Sequence, residues 1–281
     1  MNPLSSAKWI TDNTDCASPI LERNFSLETL PEKAVLFITG LGYFEARVNG
    51  RPVTDARFIP VISDYHARDV ASFYYPIRDT FTHRVYYYEF DISPLLKKGE
   101  NTLSIQLGGG WYRQYERTAE GPTYFGDTLK AIYTIDLGDR KLVSDGTETW
   151  RESCIRYSSL FIGEIHDGSF SDRCPKPVSV TEFPETTLSP AIGTPDREIR
   201  VIEPKHLGWK DGKNVYDCGE NISGHVRITT KGPKGYPVTV RFAEELTADG
   251  ELDFSSTGYE YIGISGQRQI MSDTFLCPGG E

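Results

Sequence analysis

Gly42-Tyr43-Phe44-Glu45-Ala46-Arg47-Val48-Asn49-Gly50-Arg51 and, about fifty residues on, Leu95-Leu96-Lys97-Lys98-Gly99-Glu100-Asn101-Thr102-Leu103-Ser104-Ile105-Gln106-Leu107 decide the fold. In the first stretch Phe44, Ala46 and Val48 alternate with Glu45, Arg47 and Asn49, so a strand built from it has one apolar face and one wet face. Asn49-Gly50 tolerates the positive φ angles of a type I′ hairpin turn. Pro52 beyond it has no N–H for a ladder and suits an edge strand. Ahead of the second strand, Ser93 can cap a single helical turn, with Pro94 at its first position and Gly99 as a left-handed stop. Leu103, Ile105 and Leu107 then point one way and Thr102, Ser104 and Gln106 the other. Short strands with one apolar face predict a β-sandwich.

The rest of the composition agrees. The chain has 281 residues, enough for two domains that each bury a core. Gly 26, Pro 17, Tyr 16 and Phe 14 fit a protein of strands and turns. A formal charge of −10 would repel phosphate backbones and anionic lipid headgroups, so neither nucleic acid nor a membrane is an expected partner. Cys16, Cys154, Cys174, Cys218 and Cys277 lie far apart and form no close pair of the zinc-ribbon or thioredoxin type, which reads as reduced, buried thiols. The N-terminus has neither a basic start nor a sustained apolar run. As written the chain reads as cytoplasmic, or as periplasmic or secreted if an export signal has been removed.

Strand patterns recur at 34–39, 44–48, 85–90, 102–107 and 129–137. The Pro-rich stretch 174–195 reads as a linker over a surface, and a domain boundary is set there, giving domains 1–190 and 191–281. Beyond it, 214–217, 224–230 and 237–243 read as strands of a second sandwich; Val238, Val240 and Phe242 alternate with Thr239 and Arg241. The expected fold class is all-β, two sandwiches of jelly-roll or concanavalin-like type, the second incomplete at its C-terminus.

Tyr216-Asp217-Cys218-Gly219-Glu220-Asn221-Ile222-Ser223-Gly224, Lys231-Gly232-Pro233-Lys234-Gly235 and Arg241-Phe242-Ala243-Glu244-Glu245-Leu246 with Asp249-Gly250 resemble the second accessory domain of bacterial α-L-rhamnosidases (glycoside hydrolase family 78). The stretch 42–50, the run 95–112, and Ile165-His166-Asp167-Gly168 with Asp172-Arg173 are similar to the N-terminal sandwich of the same family. The chain departs from the family at Glu220, where Gln is usual, and at Ser169, where an acidic residue is usual, so no role is carried over to those two positions. The resemblance implies a parent protein that hydrolyses terminal α-L-rhamnosides with inversion. It also implies a C-terminal (α/α)-barrel catalytic domain, as intramolecular partner, that this chain lacks.

No catalytic residue is expected here. Inverting hydrolysis needs an acid and a base about 6.5 to 9.5 Å apart across the scissile bond. Glu244 and Glu245 adjoin an alternating strand, so they point to opposite faces and cannot converge on one bond. There is no Gly-x-Ser-x-Gly elbow, and Gly108-Gly109-Gly110 is followed by Trp111-Tyr112 rather than a Lys-Ser or Lys-Thr.

Sugar contact without chemistry remains. Trp111-Tyr112-Arg113, with Tyr115 and Tyr124-Phe125, places aromatics in a loop where flat rings can stack on a pyranose and Arg113 can donate to its hydroxyls, with Asp167 as orienting carboxylate. Trp111 can equally close the bottom of the core. Some domains of the resembled family bind rhamnose with calcium, and Glu164, Asp167 and Asp172 could supply hard oxygen ligands, although no Asp-x-Asp-x-Asp-Gly loop is present and Asp167-Gly168 also reads as a turn. Otherwise no cofactor is expected. The expected ligand is a rhamnose-containing glycan or glycoside; a free-standing carbohydrate-binding module or lectin is the alternative reading.

Overall fold

The computed structural model describes residues 2–63, 65, 83–114, 125–182, 186–210, 212–254, 261–262, 268–269 and 271–280. Two sheets face each other across one core. The first runs Ser179–Thr181, Trp9–Thr11, Lys130–Asp136, Val35–Leu41, Arg84–Asp91, Thr187–Pro190, with Lys141–Val143 also paired to Lys130–Asp136. The second runs Lys176–Pro177, Thr149–Glu152, Pro19–Leu27, Gly99–Gly108, Tyr43–Val48, Arg51–Pro52. Leu36, Ile38, Val85 and Ile135 from the first meet Leu21, Phe44, Leu103, Ile105 and Leu107 from the second in a single buried cluster. The five strand patterns read upstream of residue 174 all form strands: Tyr43–Val48 and Gly99–Gly108 alternate buried and open positions, whereas Val35–Leu41 and Lys130–Asp136 are near-continuous apolar runs buried on both faces.

The two opening stretches are neighbours: Tyr43–Val48 pairs antiparallel with Gly99–Gly108, Phe44 opposite Leu107 and Val48 opposite Leu103. Asn49 (φ 53°) and Gly50 (φ 77°) make the left-handed turn, and Pro52 lies on the edge strand, as its missing N–H requires. Ser93 behaves differently from the expectation. A 3₁₀ turn spans Ser93–Leu95, but Ser93 makes no side-chain cap; its Oγ accepts from the Ala34 amide at 2.8 Å and donates to Asp91 Oδ1 at 2.6 Å. Gly99 is left-handed (φ 85°) at the strand entry rather than at the helix end.

The Pro-rich stretch is more than a linker. Lys176–Pro177 and Thr187–Pro190 are terminal strands of the two sheets, and Ser179–Thr181 is the other edge of the first. Edge positions tolerate proline, so Pro177 and Pro190 end ladders without breaking them. A third sheet joins Ile155–Ser159 and Gly163–Asp167 to Asp273–Leu276 and Pro237–Val240, so strands from either side of residue 190 share one ladder system. Lys205–Lys210 and Lys213–Asp217 form a separate hairpin. The run 224–230, read as a strand, enters no ladder among the described residues. Among them, too, no helix is long and apolar enough to cross a membrane.

Candidate functional site

The loop after Gly99–Gly108 is shaped by close approach. Gly110 is left-handed (φ 50°), and a Cβ there would come within 3.0 Å of the Tyr43 ring. The loop therefore lies flat against Tyr43, and its next three residues go to three different places.

Trp111 is half-buried, edge-on to Phe161 with ring centroids 5.8 Å apart, and its side chain is hydrogen-bonded to Tyr43. Burial, with Asp196 adding to it, pushes the Tyr43 hydroxyl up to about 12, so it stays a neutral donor and acceptor. Phe58 also packs against Tyr43, tilted with 5.6 Å between centroids; it is left-handed at φ 52° and 59% exposed. An exposed aromatic ring in the left-handed region is uncommon for a bulky residue. Trp111, Tyr43, Phe58 and Phe161 thus form a linked aromatic group at one end of the sandwich.

Tyr112 turns inward. It is 2% exposed, edge-on to Tyr65 at 5.2 Å, and its carbonyl accepts from the Phe125 and Gly126 amides, each at 3.2 Å. Its ring is part of the core, so it offers a ligand no contact area. Arg113 is already committed: Nη2 donates to the Cys16 and Ala17 carbonyls at 3.0 and 2.9 Å, and Nη1 approaches the Asp127 carbonyl at 3.5 Å. It fastens the loop to the chain before Pro19–Leu27 rather than reaching outward. Tyr115 and Tyr124 lie outside the described residues.

Asp167 does not join this group. Phe161 sits at the turn between Ile155–Ser159 and Gly163–Asp167, whereas Asp167 ends the second strand. Gly163 and Asp167 are roughly 13 Å apart at about 3.3 Å per residue. Asp167 Oδ1 accepts from the Ser169 amide and hydroxyl at 2.9 and 2.8 Å, which hold its carboxyl below the usual range. Serine suits position 169 because it can donate; an acidic residue there would set two carboxylates against each other.

The three oxygen ligands considered for calcium are likewise spread out. Glu164 and Asp167 are three apart on one strand and face opposite sides. The Glu164 carboxyl is pushed up by burial, then by Asp273 and Glu45, and its amide donates to Asp273 Oδ1 at 2.9 Å. Asp172 accepts from the Cys174 and Glu152 amides at 2.9 and 3.1 Å, which hold its carboxyl low. Among the described residues no three His, Cys, Asp or Glu side chains gather as a metal would need, so Glu164, Asp167 and Asp172 do not fit a calcium site as placed. Glu244 and Glu245 are both exposed, the latter opposite Asp253 in a short ladder.

A cleft of about 400 Å³ lies nearby, lined by Thr14, Cys16, Trp150, Glu152, Arg156 and Lys176 among others. Its charges satisfy one another: Arg156 pairs with Glu152 at 2.7 Å, and Lys176 Nζ stands 4.5 Å over the Trp150 ring. Burial pushes the Cys16 thiol up, leaving it a poor nucleophile. Nothing in the sequence flagged Phe58 or Phe161 as companions of Trp111: one depends on a left-handed backbone, the other on a hairpin fifty residues downstream.

The chain matches two family models in order, the α-L-rhamnosidase N-terminal domain over residues 30–200 and the bacterial α-L-rhamnosidase concanavalin-like domain over residues 208–275. An α-L-rhamnosidase of Formosa agariphila is 27% identical over 94% of this chain, and one of Streptomyces avermitilis is 27% identical over 79%. The chain spans 28% and 22% of their lengths. Among solved structures, the Aspergillus terreus α-L-rhamnosidase superposes with TM-score 0.79 at 24% identity, over 99% of this chain and 32% of that one. The Dictyoglumus thermophilum α-L-rhamnosidase does so with TM-score 0.74 at 25% identity, over 98% and 31%. With the first model covering more than half of its residues and the second following in register, the chain belongs to the bacterial α-L-rhamnosidase family, as its N-terminal portion.

Proposed function

We propose that this chain is the non-catalytic, N-terminal portion of a glycoside hydrolase that releases terminal α-L-rhamnose, with the acid and the base of hydrolysis supplied by a catalytic domain elsewhere in the same polypeptide. The observation that carries this reading is the ordered pair of rhamnosidase accessory-domain matches over 30–200 and 208–275, in a chain spanning 28% of its relative's length. The paired-carboxylate chemistry of such a hydrolase has no counterpart in Glu244 and Glu245, which are exposed and adjacent. The test is the polypeptide encoded from Met1 to its stop codon, incubated with an aryl α-L-rhamnoside. Turnover supports the reading, and a folded protein without it overturns the reading.

Within this portion, the aromatic group of Trp111, Tyr43 and Phe58 is the surface suited to the apolar face of a sugar ring. Phe58 supplies the exposed ring, Tyr43 a neutral hydroxyl, and Tyr112 and Arg113 hold the loop from behind. An α-L-rhamnosidase from Streptomyces avermitilis has been crystallised with L-rhamnose, which makes that sugar the first to titrate.

A further inference from the structure

The carboxylate that stands beside the aromatic group is Asp196, not Asp167. The segment Asp196–Arg197 pairs antiparallel with Ala56–Arg57, Asp196 opposite Arg57 and Arg197 opposite Ala56. This short ladder brings Asp196 next to the chain entering Phe58, whose ring packs on Tyr43. The Asp196 charge is felt at the Tyr43 hydroxyl as well, where it adds to the burial that keeps that group protonated. Residues 43, 56–58 and 196–197, from three separate stretches of chain, thus meet at one place, and all of them lie within the N-terminal-domain match at 30–200.

The charges around Asp196 are paired, and its own is not. Arg57 Nη2 donates to Glu198 Oε1 at 2.6 Å, and Arg197 Nη1 donates to Asp55 Oδ1 at 2.7 Å. Both arginines of the ladder therefore give their guanidinium groups to other carboxylates. Asp196 is exposed, and among the described residues its side chain takes part in no hydrogen bond or ion pair. Tyr43 is placed to complement it. Its hydroxyl is hydrogen-bonded to the Trp111 side chain, and an indole N–H can only donate, so the hydroxyl keeps its own proton to give.

An ionised carboxylate only accepts, and its two oxygens can receive two neighbouring hydroxyls. We propose that Asp196 is the orienting carboxylate of the sugar site, accepting from two adjacent hydroxyls of an uncharged pyranose that lies on Phe58 while Tyr43 donates to a third oxygen. The assignment rests on the sugar contact proposed above and narrows it to a class of ligand. An unpaired negative charge at the site repels a sugar that carries a carboxylate or sulfate, and the formal charge of −10 acts in the same direction.

Titrations of L-rhamnose and of D-glucuronate into the 281-residue chain, followed by the Trp111 indole N–H signal in NMR spectra, test it on the wild type, Asp196→Asn and Phe58→Ala. Asp196→Asn keeps the shape and removes the charge at an exposed position, so the melting temperature should not move. The wild type should bind L-rhamnose at least about 10-fold more tightly than D-glucuronate. In Asp196→Asn, L-rhamnose should bind about 10-fold more weakly, because charge-assisted hydrogen bonds become neutral ones, whereas D-glucuronate should bind no more weakly than before. Unchanged rhamnose affinity in Asp196→Asn, or an equal loss for both sugars, overturns the assignment. The two readings fail separately. Rhamnose binding that is lost in Phe58→Ala and intact in Asp196→Asn sinks the carboxylate alone, while a wild type that responds to neither sugar sinks the sugar contact itself and the assignment with it.

Discussion

Asn49 Nδ2 donates to Asn101 Oδ1 at 2.8 Å, and this bond joins the hairpin turn of one opening stretch to the strand entry of the other. Asn49 also donates to the Leu95 carbonyl at 2.9 Å and accepts from the Thr102 amide at 3.1 Å. Asn101, 1% exposed, accepts from the Lys97 amide and donates to the Lys97 and Gly99 carbonyls. Its amide is thus fully used, which is the condition under which a buried polar group is tolerated.

Asn101→Ala should therefore destabilise the chain by about 3 kcal/mol, because it strips partners from the Lys97 amide and from Asn49 at once. Thermal unfolding of the variant against the wild type measures it. A loss under about 0.5 kcal/mol would mean that water replaces the amide at no cost.

A second buried network holds the opposite flank. Tyr133 Oη donates to Glu148 Oε1 at 2.5 Å, Gly146 N donates to Glu148 Oε2 at 2.9 Å, and Arg23 bridges Glu148 and Asp145. Tyr133→Phe keeps the ring and deletes the bond to a carboxylate, so a loss of about 2 kcal/mol is expected in denaturant unfolding. An unchanged midpoint would mean that Arg23 and the Gly146 amide suffice for Glu148.

Gly42 has no room for a side chain. Its φ is 100°, and a Cβ would meet the Gly108 carbonyl oxygen at 2.3 Å and Leu129 Cδ2 at 2.8 Å. Gly42→Ala should cost well over about 1 kcal/mol through both backbone strain and the clash between facing strands. A variant that melts with the wild type would contradict this packing.

The Glu164 carboxyl is pushed up by burial, then by Asp273 and Glu45. A raised carboxyl binds its proton more tightly when folded, so its contribution to stability is complete below the ordinary value of 4.5 and is lost as pH rises through the raised one. Glu164→Gln should consequently be more stable than the wild type at neutral pH, with the gain vanishing near pH 4. The effect should be small, because the side chain is 40% exposed. A gain that is equal at both pH values would exclude titration as its cause.

Sugar contact is tested by calorimetric titration of L-rhamnose into wild type, Phe58→Ala and Trp111→Ala, with calcium and with chelator. Millimolar binding is expected, about 4 kcal/mol, since a monosaccharide buries little surface and its hydroxyls must first lose water. Phe58→Ala should abolish it with the melting temperature unchanged, because the ring is exposed. An absence of heat in the wild type under both conditions would reduce the aromatic group to a packing feature.

The sandwich was legible because alternation is a local property: Phe44, Ala46 and Val48, like Leu103, Ile105 and Leu107, show their buried face in the sequence and bury it in the fold. The Asn49-Gly50 turn was legible for the same reason. What escaped was set by distant parts of the chain. Ser93 is drawn from its cap by the Ala34 amide, 59 residues away, and Arg113 is drawn inward by carbonyls at 16 and 17. Trp111-Tyr112-Arg113 looked like one site because the three are adjacent, but a loop can send neighbours in opposite directions, and here only Trp111 reaches the surface group. The run 224–230 has a strand's pattern but, among the described residues, enters no ladder.

The proposal at stake is that this chain carries accessory domains and leaves the catalytic pair to another part of the polypeptide. Its most direct test is prolonged incubation of the purified 281-residue chain with an aryl α-L-rhamnoside, monitored for release of the aryl alcohol. The account predicts no release above the uncatalysed rate. Turnover that a single Asp or Glu substitution within this chain abolishes, with the fold intact, would contradict it.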